Sequence, residues 1–376
     1  MKIQFRAAVL GAGALCLLLT ACGNSSDATT QSAVSADPAA KAALAEAKAV
    51  YAEYSAAKAL EPIPPLKSAP PKGKRLVAVA CNFPTCASVA DGAKAAAQAL
   101  GWNATVLQHD GSPQGYVSLM NQVAADPPDA FVYVPALPDS SMKEQLAKLK
   151  AAGTKISEVS PLEQPGADSA VQAVVLGKQD VTQTGKILGS AVVADANGAT
   201  DAVWVWDPSF ANSWSPMKDA FTKAVESAGG KVGVLEASVQ GIGKTVPAQI
   251  TGYLQAHPKT KYVVTPMVDY QSGLDPAIQA AGLQGKVKVI SRATNQSILQ
   301  GIKNGTDWAG LAIELQAVGW RAVDQLVRLE VGMPLGDRAD PVGWQQIYLK
   351  SNVDQAGAAP EPPNYQQLYT TAWTGR

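Results

Sequence analysis

The chain has 376 residues, with 31 basic and 31 acidic side chains and a net charge of zero at neutral pH. That balance supplies no basic field for nucleic acid and no acidic run for cations. With 47% of its residues hydrophobic, a chain of this length can bury the cores of two ordinary domains.

Lys2 and Arg6 precede an almost unbroken apolar run from Ala7 to Leu19. The run is too short for a comfortable permanent span and reads as the core of an export signal covering residues 1–21. Leu19-Thr20-Ala21-Cys22 looks like a bacterial lipobox, in which the Cys22 thiol is diacylated and becomes the first mature residue. An ordinary secretory signal with an incidental cysteine is the alternative. On the first reading the protein works on the extracytoplasmic face of the cell membrane, held there by lipid. ATP- or NAD-dependent chemistry is then disfavoured, and no cofactor is expected. Cys81 and Cys86 would meet an oxidising compartment, where a disulfide is the favoured state and two buried thiols the alternative. No second ligand pair has the spacing for zinc, so no metal is expected.

Residues 22–36 are Ser, Thr, Asn and Ala without periodicity, a flexible tether. Asp37-Pro38 is a helix start, and 39–60 is rich in helix formers. Prolines 62, 64, 65, 70 and 71 then stiffen an extended stretch, so 37–73 reads as a spacer, with some packing of its helix on the body. The body begins near Lys74.

From there short apolar strands alternate with helices. Strands are expected at 76–80, 105–107, 131–134 and 156–159, and helices at 89–100, 116–124 and 142–151. A crossing at 171–176 leads into a helix through 184–194. The alternation restarts with strands at 202–206, 231–235, 262–264 and 287–290, and helices at 217–228, 248–256, 274–281 and 297–303. Two more strand passages, 311–313 and 345–349, flank a long helix at 317–331. The pattern is α/β, with two doubly wound parallel-sheet lobes. The expected division is 74–173 plus 314–343 for the first lobe and 174–313 plus 344–376 for the second.

The order of strand, loop, Ala-rich helix, Gly101-Trp102, then the segments PDAFVYVPA (128–136) and AAGTKI (151–156), resembles type I periplasmic binding proteins of the ribose and galactose kind. The likeness continues through 185–189, Phe221, 254–258, 280–282 and the Gly301 to Gly305 turn. It covers Lys74 to about Asn352. The resemblance implies two lobes joined by three crossings, a cleft that closes on one small ligand, and delivery to the permease of an ABC importer. It implies no catalysis and a monomer.

Ligands of doubly wound sheets sit at the carboxyl ends of strands, which nominates Asn82, Phe83 and Thr85 after the first strand. Phe83 would stack on a flat ligand or pack in the lobe, and Asn82 would touch ligand or cap the next helix. Pro135 follows the third strand and Ser160 the fourth, where the sugar-binding family usually has an acidic residue followed by arginine. In the second array Trp206, Phe210 and Trp214 follow one strand, Asp269 and Tyr270 another, and Arg292 and Asn295 a third, where the family commonly has an aspartate. Glu314 lies in a crossing. Asp269 has helix capping as its rival role, each tryptophan has core packing, and Arg292 has a solvated surface. The resemblance makes a sugar the leading ligand class, while losing acidic-arginine pairs and gaining aromatics tilts toward a less polar or aromatic-faced compound. Arg292 could pair bidentately with a ligand carboxylate.

Two tempting signals carry less. Residues 238–245, SVQGIGKT, nearly match a phosphate-binding loop, but Ser238 replaces the first glycine and Pro247 follows closely. Gly241 and Ile242 are read instead as a turn at the cleft mouth. His109 and His257 are read as structural, since neither has metal spacing and no serine elbow accompanies them. The function expected is capture of a small solute for an ABC importer, with presentation to a chemoreceptor or sensor kinase as the alternative.

Overall fold

The computed structural model describes residues 37–356 and 360–375; the expected signal, Cys22 and the tether to residue 36 lie outside the described residues. Helix α1 (Pro38–Ser55) starts as its sequence dictates, with the Asp37 carboxylate accepting a hydrogen bond from the Ala39 amide and proline in the first turn. Ala47 is buried, and Leu44, Val50, Tyr51 and Tyr54 pack against the core of the second lobe. The expected packing of this helix on the body is therefore extensive. The proline-rich stretch after it lies on the first lobe instead, through Leu60, Ile63 and Leu66.

The first lobe is built from β1 (Arg75–Cys81), α2 (Pro84–Ala99), β2 (Asn103–His109), α3 (Pro113–Ala125), β3 (Ala130–Tyr133), α4 (Lys143–Ala151), β4 (Lys155–Val159) and β5 (Ala173–Val175). Its five strands are all parallel, in the order β2-β1-β3-β4-β5. The segment expected as a bare crossing is thus an edge strand before it crosses. Leu76, Ala78 and Ala80 face one side of β1 and Val79 the other, and all are buried, as a sheet covered on both faces requires.

The second lobe repeats the scheme with α5 (Lys178–Ala196), β6 (Asp201–Trp206), α6 (Ala211–Ser227), β7 (Lys231–Glu236), α7 (Val246–Ala256), β8 (Thr260–Thr265), α8 (Leu274–Ala280), β9 (Lys288–Ser291) and α9 (Gln296–Asn304). Its parallel strands run in the order β7-β6-β8-β9. The chain then forms β10 (Gly310–Ile313), returns to the first lobe as α10 (Leu315–Glu330), and comes back as β11 (Gln345–Tyr348), antiparallel to β10. A bridge from Leu311 to Arg292 sets β10 beside the end of β9. Both lobes use glycine to bring two helices into backbone contact. A Cβ on Gly92 of α2 would sit 2.1 Å from the Gln316 carbonyl oxygen of α10, and one on Gly185 of α5 would sit 2.1 Å from the Met217 carbonyl oxygen of α6.

The tail divides between the lobes. Whereas β11 joins β10, helix α11 (Tyr365–Thr374) packs on α10 of the first lobe, not on the second as expected. The Trp373 indole stacks on that of Trp320 with centroids 5.4 Å apart and planes 5° apart. Its Nε1 donates to Asp324 Oδ1 at 2.9 Å. Asp324 also holds the buried Arg328 at 2.8 Å, and Arg328 donates to the Pro64 carbonyl at 2.6 Å. One buried ion pair thereby fastens the proline-rich stretch and the last helix to α10.

The outer face of the first sheet holds an acid that its strand position does not explain. Glu158 shares a face of β4 with Ile156, is fully buried, and lies beside the Tyr133 hydroxyl, whose proton goes to Asp139 Oδ1 at 2.7 Å. Tyr116, Tyr133, Asp139 and Glu163 are the groups around it. Burial, and then the negative charges of Asp139 and Glu163, push its pKa up to about 9. The folded protein therefore keeps this proton where the unfolded chain loses it, and stability declines as pH rises through that window. Glu158→Gln mimics the neutral acid and should abolish this component. Denaturation at a series of pH values should show the variant gaining on the parent between about pH 4.5 and 9, by at most ~1.4 kcal/mol per pH unit. A constant difference across that range would contradict this assignment.

Candidate ligand-binding cleft

The carboxyl ends of both sheets face each other, and the loops that leave them enclose a cavity of about 140 Å3. From the first lobe come Phe83, Thr85, Pro135, Ser160 and the Cys81–Cys86 disulfide. Phe210, Ser213, Trp214, Met267 and Arg292 come from the second. Leu176 and Ile313, at two of the crossings, close the hinge side.

Local sequence explains these positions. Phe83 is the cap residue of α2, with Pro84 in the first turn, and its extended backbone turns the chain sharply off β1. The disulfide joins cysteines five residues apart across that turn. Phe210 and Trp214 are one turn apart at the start of α6 and stack at 4.8 Å. Tyr270 supports Trp214 edge-on from behind and donates its hydroxyl to the Ala237 carbonyl at 2.8 Å.

Backbone strain gathers at the same place. Ser160, Leu176 and Ala293 adopt positive φ of 55°, 54° and 65°, and all three line the cavity. The other non-glycine residues of that conformation among the described residues are Asn197 and Asn364, of the type that tolerates it. Side chains other than Gly and Asn in this region cost on the order of 1–3 kcal/mol each and cluster at functional sites.

Among the described residues, two polar contacts join the lobes at the cavity. Thr85 Oγ1 donates to Asp269 Oδ2 at 2.8 Å, and the Ser160 and Ser213 hydroxyls lie 3.1 Å apart. Burial raises the pKa of Asp269, while the bond from Thr85 opposes the rise. Asp269 and Asn295 line an outer groove, which shares Phe83 and Thr85 with the inner cavity.

Of the residues nominated from sequence, Phe83, Thr85, Pro135, Ser160, Phe210, Trp214 and Arg292 therefore meet at one cavity. The others stand elsewhere. Asn82 is exposed and caps nothing, because Phe83 occupies the cap position. Trp206 and Tyr270 are buried behind the aromatic wall. Asn295 caps α9 by accepting from the Ile298 amide at 3.0 Å, and Asp269 holds Thr85 instead of capping a helix through its side chain. Glu314 is fully buried and ion-paired with Arg321. Val239 and Gln240, rather than Gly241 and Ile242, reach the cavity from the glycine-rich turn.

His109 is the addition that sequence reasoning set aside as structural. It ends β2 and lines the cavity. Its Nδ1 accepts from the Gly111 amide at 3.1 Å, which leaves the proton on Nε2, a buried donor beside the Val134 backbone carbonyl. Burial lowers its pKa, while the Val134 backbone and the negative charge of Asp110 oppose the shift. Its place at the carboxyl end of a strand was the available signal.

Arg292 is 6% exposed, and its Nε and Nη2 have no protein partner. Burial lowers its pKa, and the negative charge of Asp180 partly restores it. The solvated surface weighed as its alternative role is thereby excluded. Phe83, Phe210, Trp214, Val159, Leu162, Met267 and Leu315 make most of the remaining wall apolar.

A family model described as a periplasmic binding protein domain matches residues 82–333. The chain belongs to the periplasmic binding proteins. This is a family of substrate-binding proteins of extracytoplasmic location, not of enzymes. Solved structures share the two-lobed type I fold of the ribose and galactose kind. A glucose-galactose binding protein from Geobacillus stearothermophilus superposes with a TM-score of 0.65 at 16% identity, covering 75% of this chain and 99% of that one. An ABC transporter solute-binding protein from Agrobacterium vitis with bound allitol gives 0.65 at 18%, covering 76% and 98%. One from Mycobacterium smegmatis with bound glycerol gives 0.64 at 21%, covering 75% and 96%. No curated protein sequence is detectably similar. Among the described residues no helix is long and apolar enough to cross a membrane.

Within this periplasmic binding protein the disulfide should matter for the site as well as for stability. Closing a loop of this size is worth about 2 kcal/mol in the chain-entropy model. The paired change Cys81→Ser with Cys86→Ser should lower unfolding free energy by roughly that amount. It should also weaken ligand binding, because Phe83 and Thr85 sit inside the loop. Calorimetry on the two proteins checks both effects, and unchanged affinity would contradict the second.

Proposed function

We propose that this periplasmic binding protein captures one small solute between its lobes and delivers it to an ABC importer, while Cys22 carries a lipid that holds it at the membrane. The observation that carries this reading is the cavity itself. It lies where two sheets point their carboxyl ends at one another, and its walls come from both lobes. A solute there gains its contacts to one lobe only when the other closes over it, so binding shifts an open-closed equilibrium. A permease can then recognise the shut form.

The fifteen residues from Cys22 to Ala36 would reach about 50 Å if fully extended. One acyl chain holds weakly and a diacylated cysteine stably.

Capture is tested by a thermal-shift screen of sugars, polyols, aromatic acids and nucleosides. A true ligand stabilises the folded form by mass action, about 2.7 kcal/mol at a hundred times its dissociation constant. The response should fall on Phe83→Ala and on Trp214→Ala, residues from opposite lobes. A ligand whose effect survives both changes would place the site elsewhere.

A further inference from the structure

Resting on the capture reading above, we propose that the solute is a small carboxylate with a flat apolar body, its carboxylate held by Arg292. The guanidinium is the one cation lining the cavity among the described residues, and two of its nitrogens lack protein partners. A buried fork of donors matches a carboxylate bidentately. Asp180 is the nearest acid that acts on it, but no ion pair forms between them, and one Asp180 oxygen is committed to the Gly343 amide at 2.7 Å.

The rest of the lining argues the same way. A sugar presents a hydroxyl on nearly every carbon, and each needs a partner once water is excluded. Here the Thr85 proton goes to Asp269, and one of the Ser160 and Ser213 hydroxyls donates to the other, so few hydroxyl donors face the cavity. The Gln240 amide and His109 are the other polar side chains at the wall besides Arg292, and no carboxylate lines the cavity to accept from hydroxyls. Phe83, Phe210 and Trp214 instead offer faces and edges to a ring. The volume agrees, since an apolar cavity of about 150 Å3 takes one benzene ring.

The test titrates the full-length protein with benzoate, benzyl alcohol and D-ribose by calorimetry and thermal shift. Benzoate should bind, and benzyl alcohol, which keeps the ring and loses the charge, should bind about ten- to hundredfold more weakly. Arg292→Gln should erase the preference for benzoate. Arg292→Lys keeps the charge without the fork, should retain only part of it, and serves if the glutamine variant does not fold. Asp180→Asn should leave the preference intact. Silence toward benzoate, or undiminished benzoate binding in both Arg292 variants, overturns the proposal. A ribose response with benzoate silent would do so while leaving solute capture standing; silence toward all three and toward the wider screen would remove capture as well.

Discussion

Parallel strands put all their carboxyl ends on one side of a sheet, and this chain sets two such sides face to face. Everything at the site follows from that placement. Each strand must end and turn at that side, so the residues that follow β1, β3, β4, β6 and β9 converge without being near in sequence. The three crossings, after β5, after β10 and before β11, hold the sheets in this relation. Their dihedrals are also where opening must be absorbed, and Leu176 and Ala293, beside two of those joints, already carry positive φ.

The closed arrangement is economical in polar contacts. Thr85 with Asp269 and Ser160 with Ser213 span the lobes, and otherwise apolar walls approach one another. A bond between hydroxyls contributes about 1 kcal/mol and one to a carboxylate about 1.5–3 kcal/mol, too little to hold two large lobes shut without help. A solute touching both walls would add the missing term. Elsewhere the lobes are fastened heavily. The Asp324–Arg328 pair, Trp373 and Pro64 lock the first, and α1 is packed into the second. Rigid halves with a lightly bonded seam suit hinge closure.

Much of this was legible in the sequence because its signals are local. Short apolar runs separated by alanine-rich helices gave strand and helix order, and strand ends then gave the position of the cleft. What could not be read depends on direction. Trp206 and Trp214 are the same residue type eight positions apart, yet one is behind the wall and the other is the wall. Asn82 and Phe83 are neighbours, and the turn chooses which faces inward. Glu314 looked like a ligand group until Arg321, two helix turns further along α10, claimed it. His109 was set aside because no metal or catalytic spacing surrounds it, although an ordinary hydrogen-bond donor needs neither. Helix α11 follows a proline-rich stretch and carries only a few large apolar side chains, so its docking on Trp320 is a tertiary effect that no window of sequence contains.

The central claim is that the two halves move and that a solute decides their separation. Spin labels at Ser141 and Lys244, exposed positions beyond β3 and β7 on the facing strand ends, report that distance directly. Pulsed dipolar spectroscopy without solute should give a broad distribution reaching longer distances, and saturating solute should collapse it to one short distance. The same narrow distribution in both conditions would contradict the account.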